Sequence, residues 1–412
     1  MTSTTLDSTA SRAADFRIIG LVGSAHFVSH IYILILPPLF PFLRAEFGVS
    51  YTELGTVLAL FNILSAALQT PAGYLVDRTS ARTVLVGGLM LGAGSLVGAA
   101  VAPNFLLFAM MFAILGIANT AYHPADYALL STRISPPRSG QAFSIHIFSG
   151  FIGTAITPAE HRCMLALAAM FGWRGAFLAG ALLGFAVALA IVAFGDLLGG
   201  RESAHAKQAE SKSGDGDRRI LMTMPVVLNL LFFILIACVS VGTQNYAIVA
   251  LGALWNTPMA EAATALTVYL TLSAFAVLAG GILASRTDRH DLVAVIGLAV
   301  SGLAMLPIAF IDFTMAVLLG LMAVSGFFNG LIQPSRDMIV KAVTPPGAFG
   351  RVFGFVTTGF NIGGIVAPPI FGYMMDHGAP HIVILATALC SLAAIPTVMI
   401  TVARGAQKNR SV

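Results

Sequence analysis

The chain has 412 residues, 57% of them hydrophobic and 10% charged, with a mean hydropathy of +0.88. A soluble domain carries roughly 25% charged residues, so the composition argues against soluble enzymes, disordered proteins and nucleic-acid binders. The net charge of +4 is a small excess of 22 Lys/Arg over 18 Asp/Glu, too little to make a basic surface.

In chain order, residues 1–16 are polar and Ser/Thr-rich, without a small-residue cleavage site, and are expected to form a disordered tail. Apolar runs follow at 17–43, 53–76, 82–102, 105–132, 142–170 and 174–198, then at 222–250, 259–284, 291–311, 314–341, 351–375 and 379–403. A hydrocarbon core about 30 Å thick needs about 20 apolar residues per helix, so each run is long enough to span. Closely spaced Gly, Ala and Ser, as in Gly87–Gly94, suit helix packing inside a bilayer. Residues 199–221 are polar, charged and Gly/Ser-rich and read as a flexible linker. The expected fold is an all-α integral membrane protein. Its twelve transmembrane helices form two six-helix bundles, 17–198 and 222–403, followed by a tail at 404–412.

The scarce charges give orientation. With the N-terminus inside, 18 of the 22 basic residues fall in tails and loops on the cytoplasmic side, which supports an even number of spans and two cytoplasmic termini. Cys163, Cys238 and Cys390 are widely spaced and lie in or beside apolar runs, so they read as packing residues.

Ionisable residues within spans are costly, and each is a candidate site. His26 and His30 share one face of the first span by their i, i+4 spacing. Three readings stay open for them: interhelical hydrogen bonds, proton coupling, or a metal site that needs further ligands. The fourth span carries Asn119, Tyr122, His123, Pro124 and Asp126; the proline invites a kink, and a buried acid suits a proton carrier. Gln244 and Asn245 in the seventh span can orient a solute. The tenth span carries Asn329, Gln333, Arg336, Asp337 and Lys341, with Arg336 either anchoring an anion or pairing locally with Asp337. Glu160-His161-Arg162-Cys163 interrupts the fifth span with no evident physical reason.

The two halves repeat each other. Gly116, Asn119, Pro124, Gly140, Phe143, Gly153 and Pro158 recur 210 residues later as Gly326, Asn329, Pro334, Gly350, Phe353, Gly363 and Pro368. The run Gly73-Tyr74-Leu75-Val76-Asp77-Arg78-Thr79 recurs 208 residues later as Gly281–Thr287, with Ser285 in place of Asp77. Parallel six-helix repeats are a transporter architecture whose substrate site lies near the midplane between the halves. By repeat, Arg336 occupies the place of Asp126.

The loop Gly73–Arg82 resembles the G-x-L-x-D-R-x-x-x-R loop of the major facilitator superfamily, and the chain is similar to that superfamily over nearly its whole length. A narrower resemblance, to the fosmidomycin-resistance-type branch, rests on Leu36–Thr52 and Tyr122-His123-Pro124. The resemblance implies that Gly73, Asp77, Arg78 and Arg82 gate the conformational change, with Asp77 capping a neighbouring helix. It also implies that the first, fourth, seventh and tenth helices line the cavity.

The resulting expectation is a secondary transporter in a bacterial-type inner membrane, moving a small solute by alternating access. Asp126, His123, His30 and His26 would carry protons; Arg336, Asn119, Asn329, Gln333, Gln244, Asn245 and Tyr122 would contact the solute. No metal ligand set and no cofactor are assigned, and the expected partners are the solute, protons and lipid around a monomer. Absence of GxxxxGK followed by Ser or Thr argues against ATP drive, and absence of GxSxG and HExxH argues against an enzyme. The resemblance favours drug-type efflux by proton antiport. The alternatives are uptake of an organic anion, transport of a metal ion, and a transporter-like receptor.

Overall fold

The computed structural model describes residues 3–135, 138–199, 221–344 and 349–410. Within these, the side chains of residues 3–11, 77, 139, 140, 144, 155–171, 349–351, 353 and 404–410 lie outside the description. The described residues contain helices and turns and no strand.

The first half comprises α1 (Ser3–Leu34), α2 (Phe40–Phe47), α3 (Tyr51–Arg78), α4 (Ala81–Ala100), α5 (Phe105–Asn119), α6 (Tyr122–Arg133) and α7 (Ser139–Phe194). The second comprises α8 (Met224–Val241), α9 (Ala247–Trp255), α10 (Met259–Ala284), α11 (His290–Met305), α12 (Met315–Val343), α13 (Phe349–Asp376) and α14 (Pro380–Arg410). Among the described residues, eleven helical segments are long and apolar enough to cross a bilayer. The expected fifth span is not among them, because the side chains of 155–171 are outside the description. Gly172, with φ 71° and ψ 171°, breaks α7 into two helices; that backbone region is open chiefly to glycine.

Local chemistry sets several boundaries. Ser80 accepts a hydrogen bond from the Thr83 N–H at 3.0 Å and starts α4; Asn104 accepts from the Leu107 N–H at 2.9 Å and starts α5. Gly48 ends α2 in the left-handed region. Helix α1 begins at Ser3, within the segment 1–16 expected as a tail. Asp15 accounts for part of this, since its carboxylate accepts from Ser135 Oγ and Arg138 Nε, both at 2.6 Å, tying the start of the span to the segment after α6. The expected linker 199–221 falls almost wholly outside the described residues, and α14 runs through most of the expected tail at 404–412.

The chain forms two compact units, one of Met1–Val49 with Leu60–Gln208, the other of Ser50–Ala59 with Ala209–Val412. In the first unit α1 packs on α6 and α7, and α4 packs on α5, α6 and α7. Phe108, Phe112, Trp173 and Phe177 are buried together, with ring centroids 5.0–6.0 Å apart. In the second unit α10 packs on α12, α8 on α13 and α14, and α11 on α12 and α14. Asp376 there accepts from the backbone N–H groups of Tyr51 and Thr52, each at 2.8 Å, and from Thr52 Oγ1. Large apolar side chains such as Leu106, Leu182 and Leu189 are about two-thirds exposed, as expected where lipid replaces water.

The sequence repeat is a packing repeat. A Cβ on Gly116 would lie 2.6 Å from the Phe61 carbonyl oxygen, and one on Gly326 would press on the carbonyl of Tyr269. Gly153 sits against the Phe27 carbonyl and Gly363 against that of Ile234. Equivalent glycines thus let equivalent helix pairs approach backbone to backbone, where association rests on close packing rather than on expulsion of water.

Candidate functional site

Three helices of the first unit bring their polar residues to one place. Helix α1 supplies His26 and His30, α6 supplies His123 and Asp126, and α7 supplies His146, Gly150 and Thr154. Spacings of three or four residues put each set on one helix face. His26, Asp126 and His146 are buried, with at most 4% of their surface exposed.

The Asp126 carboxylate is the centre. Its Oδ2 lies 3.5 Å from His26 Nδ1 and 3.9 Å from His146 Nδ1. The rings of His26 and His146 stack at 3.8 Å, and those of His30 and His123 lie 4.7 and 5.3 Å from His26. One nitrogen each from His26, His123 and His146 can be chosen with all three within 4.8 Å of one another. His30 is anchored by a 2.8 Å hydrogen bond between Nδ1 and Thr154 Oγ1. Thr154 donates its hydroxyl hydrogen to the Gly150 carbonyl at 3.1 Å. His30 must therefore donate from Nδ1, which leaves its Nε2 with a lone pair. That atom and His26 Nε2 face Gly150, where a Cβ would meet them at 2.7 and 2.6 Å.

Among the described residues, most polar atoms of the cluster have no hydrogen-bond partner. These are His26 Nδ1, His123 Nδ1, both Asp126 oxygens and both His146 nitrogens. Buried polar groups are nearly always paired, and leaving one unpaired costs about 1–3 kcal/mol. A cation among these atoms, whether a proton on an imidazole or a metal ion, offsets that cost. The structure thus joins His26, His30, His123 and Asp126 as the sequence suggests and adds His146, which sequence reading missed. A signal was present: His146 is an ionisable residue inside a span, four residues before Gly150. The sequence reading assigned no metal ligand set; His26, His123 and His146 each place one nitrogen within 4.8 Å of the others. The three imidazoles come from three helices, so no short spacing reveals them.

The other expected residues have contacts of their own. Asn119 donates to Ser65 Oγ at 2.8 Å, and Tyr122 is buried beside Gly92. Asn329 is buried in α12. Gln244 and Asn245 lie in a π turn, Gly242–Tyr246, whose Tyr246 hydroxyl donates to the Pro368 carbonyl at 2.6 Å. Arg336 is held inside the second unit. Its Nε donates to Asp337 at 2.9 Å, its Nη1 to Gln333 at 3.0 Å, and its guanidinium lies over Phe233 and Phe360 at 4.8 and 5.3 Å. This is the local pairing left open by the sequence. In the Gly73–Arg82 loop, Gly73 has open space around it and Arg78 is exposed. Arg82 Nη2 donates to the Val192 and Ile191 carbonyls at 2.8 and 3.3 Å, near the end of α7. The side chains of Asp77 and of Glu160, His161, Arg162 and Cys163 lie outside the described residues.

Comparison with known proteins places this site in context. The model of the Major Facilitator Superfamily matches residues 22–259 and 230–411. The chain is similar to the fosmidomycin resistance protein of Escherichia coli (strain K12), 25% identical over 151 residues covering 37% of each chain. It is similar to the probable L-galactonate transporter of the same organism, 26% identical over 147 residues covering 36% of this chain and 32% of that one. The match spans at most 38% of the length of these first relatives. An uncharacterized transporter of this type from Bacillus subtilis (strain 168), YttB, is 22% identical over 374 residues, 87% and 88% of the two chains. Among solved structures, a bacterial homolog of the human lysosomal transporter Spinster, inward-facing and occupied, superposes with a TM-score of 0.76 at 13% identity, covering 96% and 97%. The nucleoside transporter NupG gives 0.75 at 16%, covering 94% and 98%. At these identities the likeness is one of fold.

Proposed function

The chain belongs to the Major Facilitator Superfamily, and from that premise we propose that it is a proton-coupled secondary transporter of a small organic solute. It works by alternating access, through twelve spans in two six-helix bundles with both termini in the cytoplasm of a bacterial inner membrane, and as a monomer. The observation that carries the reading is the buried Asp126 carboxylate between His26 and His146, with His30 and His123 beside it. An acid with no hydrogen-bond donor inside a membrane protein holds a proton or sits beside a protonated imidazole. Exchange of that proton is the coupling step.

Efflux by antiport is the direction we favour, supported by similarity to a fosmidomycin resistance protein. The proposed solute contacts are Gln244 and Asn245 at the π turn, a feature frequent at functional sites, together with Asn119, Tyr122, Asn329, Gln333 and Arg336. The hydrogen bonds of Arg336 to Gln333 and Asp337 argue for an orienting role over an anion anchor. Gly73, Asp77, Arg78 and Arg82 form the gating loop, supported by the hold of Arg82 on the end of α7.

The test has two steps. A thermal-shift screen of purified protein against antibiotics, organic acids, nucleosides and sugars finds a ligand, since binding to the native state raises the melting temperature. Flux of that ligand into proteoliposomes is then driven by an imposed pH gradient. The reading requires flux that follows the gradient and collapses in Asp126→Asn; gradient-driven flux at the normal rate in that variant rejects it.

A further inference from the structure

We infer that the same cluster binds a divalent transition-metal cation of the imidazole-preferring class, zinc and its neighbours. His26, His123 and His146 are the nitrogen ligands and Asp126 the oxygen ligand. The inference shares its residues with the coupling reading above, and its test fails separately from it.

Geometry is the main argument. Ligand atoms at about 2.0–2.1 Å from a tetrahedral zinc stand about 3.4 Å from one another. Asp126 Oδ2 already stands 3.5 and 3.9 Å from the Nδ1 atoms of His26 and His146. Nitrogens of His26, His123 and His146 lie within 4.8 Å of one another, so each moves inward by less than about 1 Å to reach a bound ion. Among the described residues, His26 Nδ1, His123 Nδ1, both His146 nitrogens and both Asp126 oxygens have no hydrogen-bond partner.

Donor chemistry selects the ion. Three imidazoles and one carboxylate suit zinc, nickel, cobalt or copper. Magnesium and calcium take oxygen ligands in six-fold or higher sets, which this site does not offer. Space and support follow from α7. The missing side chain of Gly150 leaves room beside His26 Nε2 and His30 Nε2. The hydrogen bond from His30 to Thr154 fixes a fourth imidazole at the edge of the site.

The experiment uses the full chain, purified in detergent without an affinity tag and stripped with chelator. Zinc is titrated at one pH against a chromophoric chelator. The inference requires one zinc per chain, not displaced by excess magnesium. His26→Ala and His146→Ala must each weaken binding about tenfold or more, and Asp126→Asn must weaken it too. His377→Ala, at an exposed histidine in the turn after α13, must leave it unchanged. Cobalt(II) provides a readout independent of any variant's folding: bound in this site it gives intense visible bands of a four-coordinate ion. Zinc uptake no greater than the chelator background, unchanged affinity in both histidine variants, or only the weak spectrum of octahedral cobalt each overturns the inference. Proton-driven flux in metal-free vesicles is measured in parallel. Flux without zinc binding leaves the coupling reading standing alone, and zinc binding without flux does the reverse.

Discussion

Adding one methyl group at Gly150 tests whether the cluster depends on the space that glycine leaves. A Cβ there would lie 2.6 Å from His26 Nε2 and 2.7 Å from His30 Nε2. To reach ordinary contact at 3.4 Å, each ring must withdraw by about 0.7 to 0.8 Å. Neither is free to do so. His26 is stacked on His146 at 3.8 Å, and His30 is tied to Thr154. Overpacking of this kind costs about 1–3 kcal/mol, and the better helix propensity of alanine returns about 0.5–1 kcal/mol. The net expectation is a loss of about 0–2.5 kcal/mol, concentrated on the cluster. Thermal melting in detergent and proton-driven flux in vesicles are the assays. Gly150→Ala should melt no higher than the native protein and lose most of its coupled flux. Gly94→Ala is the control, because its Cβ meets nothing within 4 Å, and it should be neutral or stabilised by up to about 1 kcal/mol. If Gly150→Ala instead matches Gly94→Ala in both melting and flux, the cluster does not depend on that space.

Other perturbations follow from the same contacts. Asp376→Ala removes all three hydrogen bonds onto Tyr51 and Thr52 and should cost about 1–2 kcal/mol as a lost N-terminal cap; Asp376→Asn, which keeps one acceptor oxygen, should cost less, and equal melting of the two variants contradicts this. Arg82→Ala frees the carbonyls of Ile191 and Val192 and should lower stability by about 1 kcal/mol, read as faster proteolysis near residue 195. Arg336→Lys keeps the charge but loses the planar fork to Gln333 and Asp337 and the face-on contact with Phe233 and Phe360. It should melt lower by an amount equivalent to about 1–2 kcal/mol, and native-like melting would show that the fork contributes nothing.

Much of this architecture was legible in the sequence because the bilayer leaves few choices. Long apolar runs must be helices, and Gly116 with Gly326 or Gly153 with Gly363 mark positions where backbones touch. Asp126, His123, His26 and His30 stood out because charge inside a span is costly. His146 carried the same signal, but its role depends on α7 packing against α1, and that contact is encoded in Gly150 and Gly153 rather than in the histidine itself. The sequence repeat aligns Arg336 with Asp126. It could not reveal their local partners, because Phe233 and Phe360 stack on the arginine while histidines surround the acid. The start of α1 is hard to read for a related reason: composition makes this segment polar, and the anchoring of Asp15 by Ser135 and Arg138 is a contact across more than a hundred residues.

The central claim is that Asp126 and the histidines around it couple cation movement to transport. Its most direct test is simultaneous measurement of solute and proton movement in proteoliposomes, with a pH-sensitive dye inside and the solute found by thermal shift outside. The native protein should move protons only when the solute is present, in fixed ratio to it, and Asp126→Asn should bind the solute and move no protons. Solute-dependent proton movement that survives in Asp126→Asn contradicts the account.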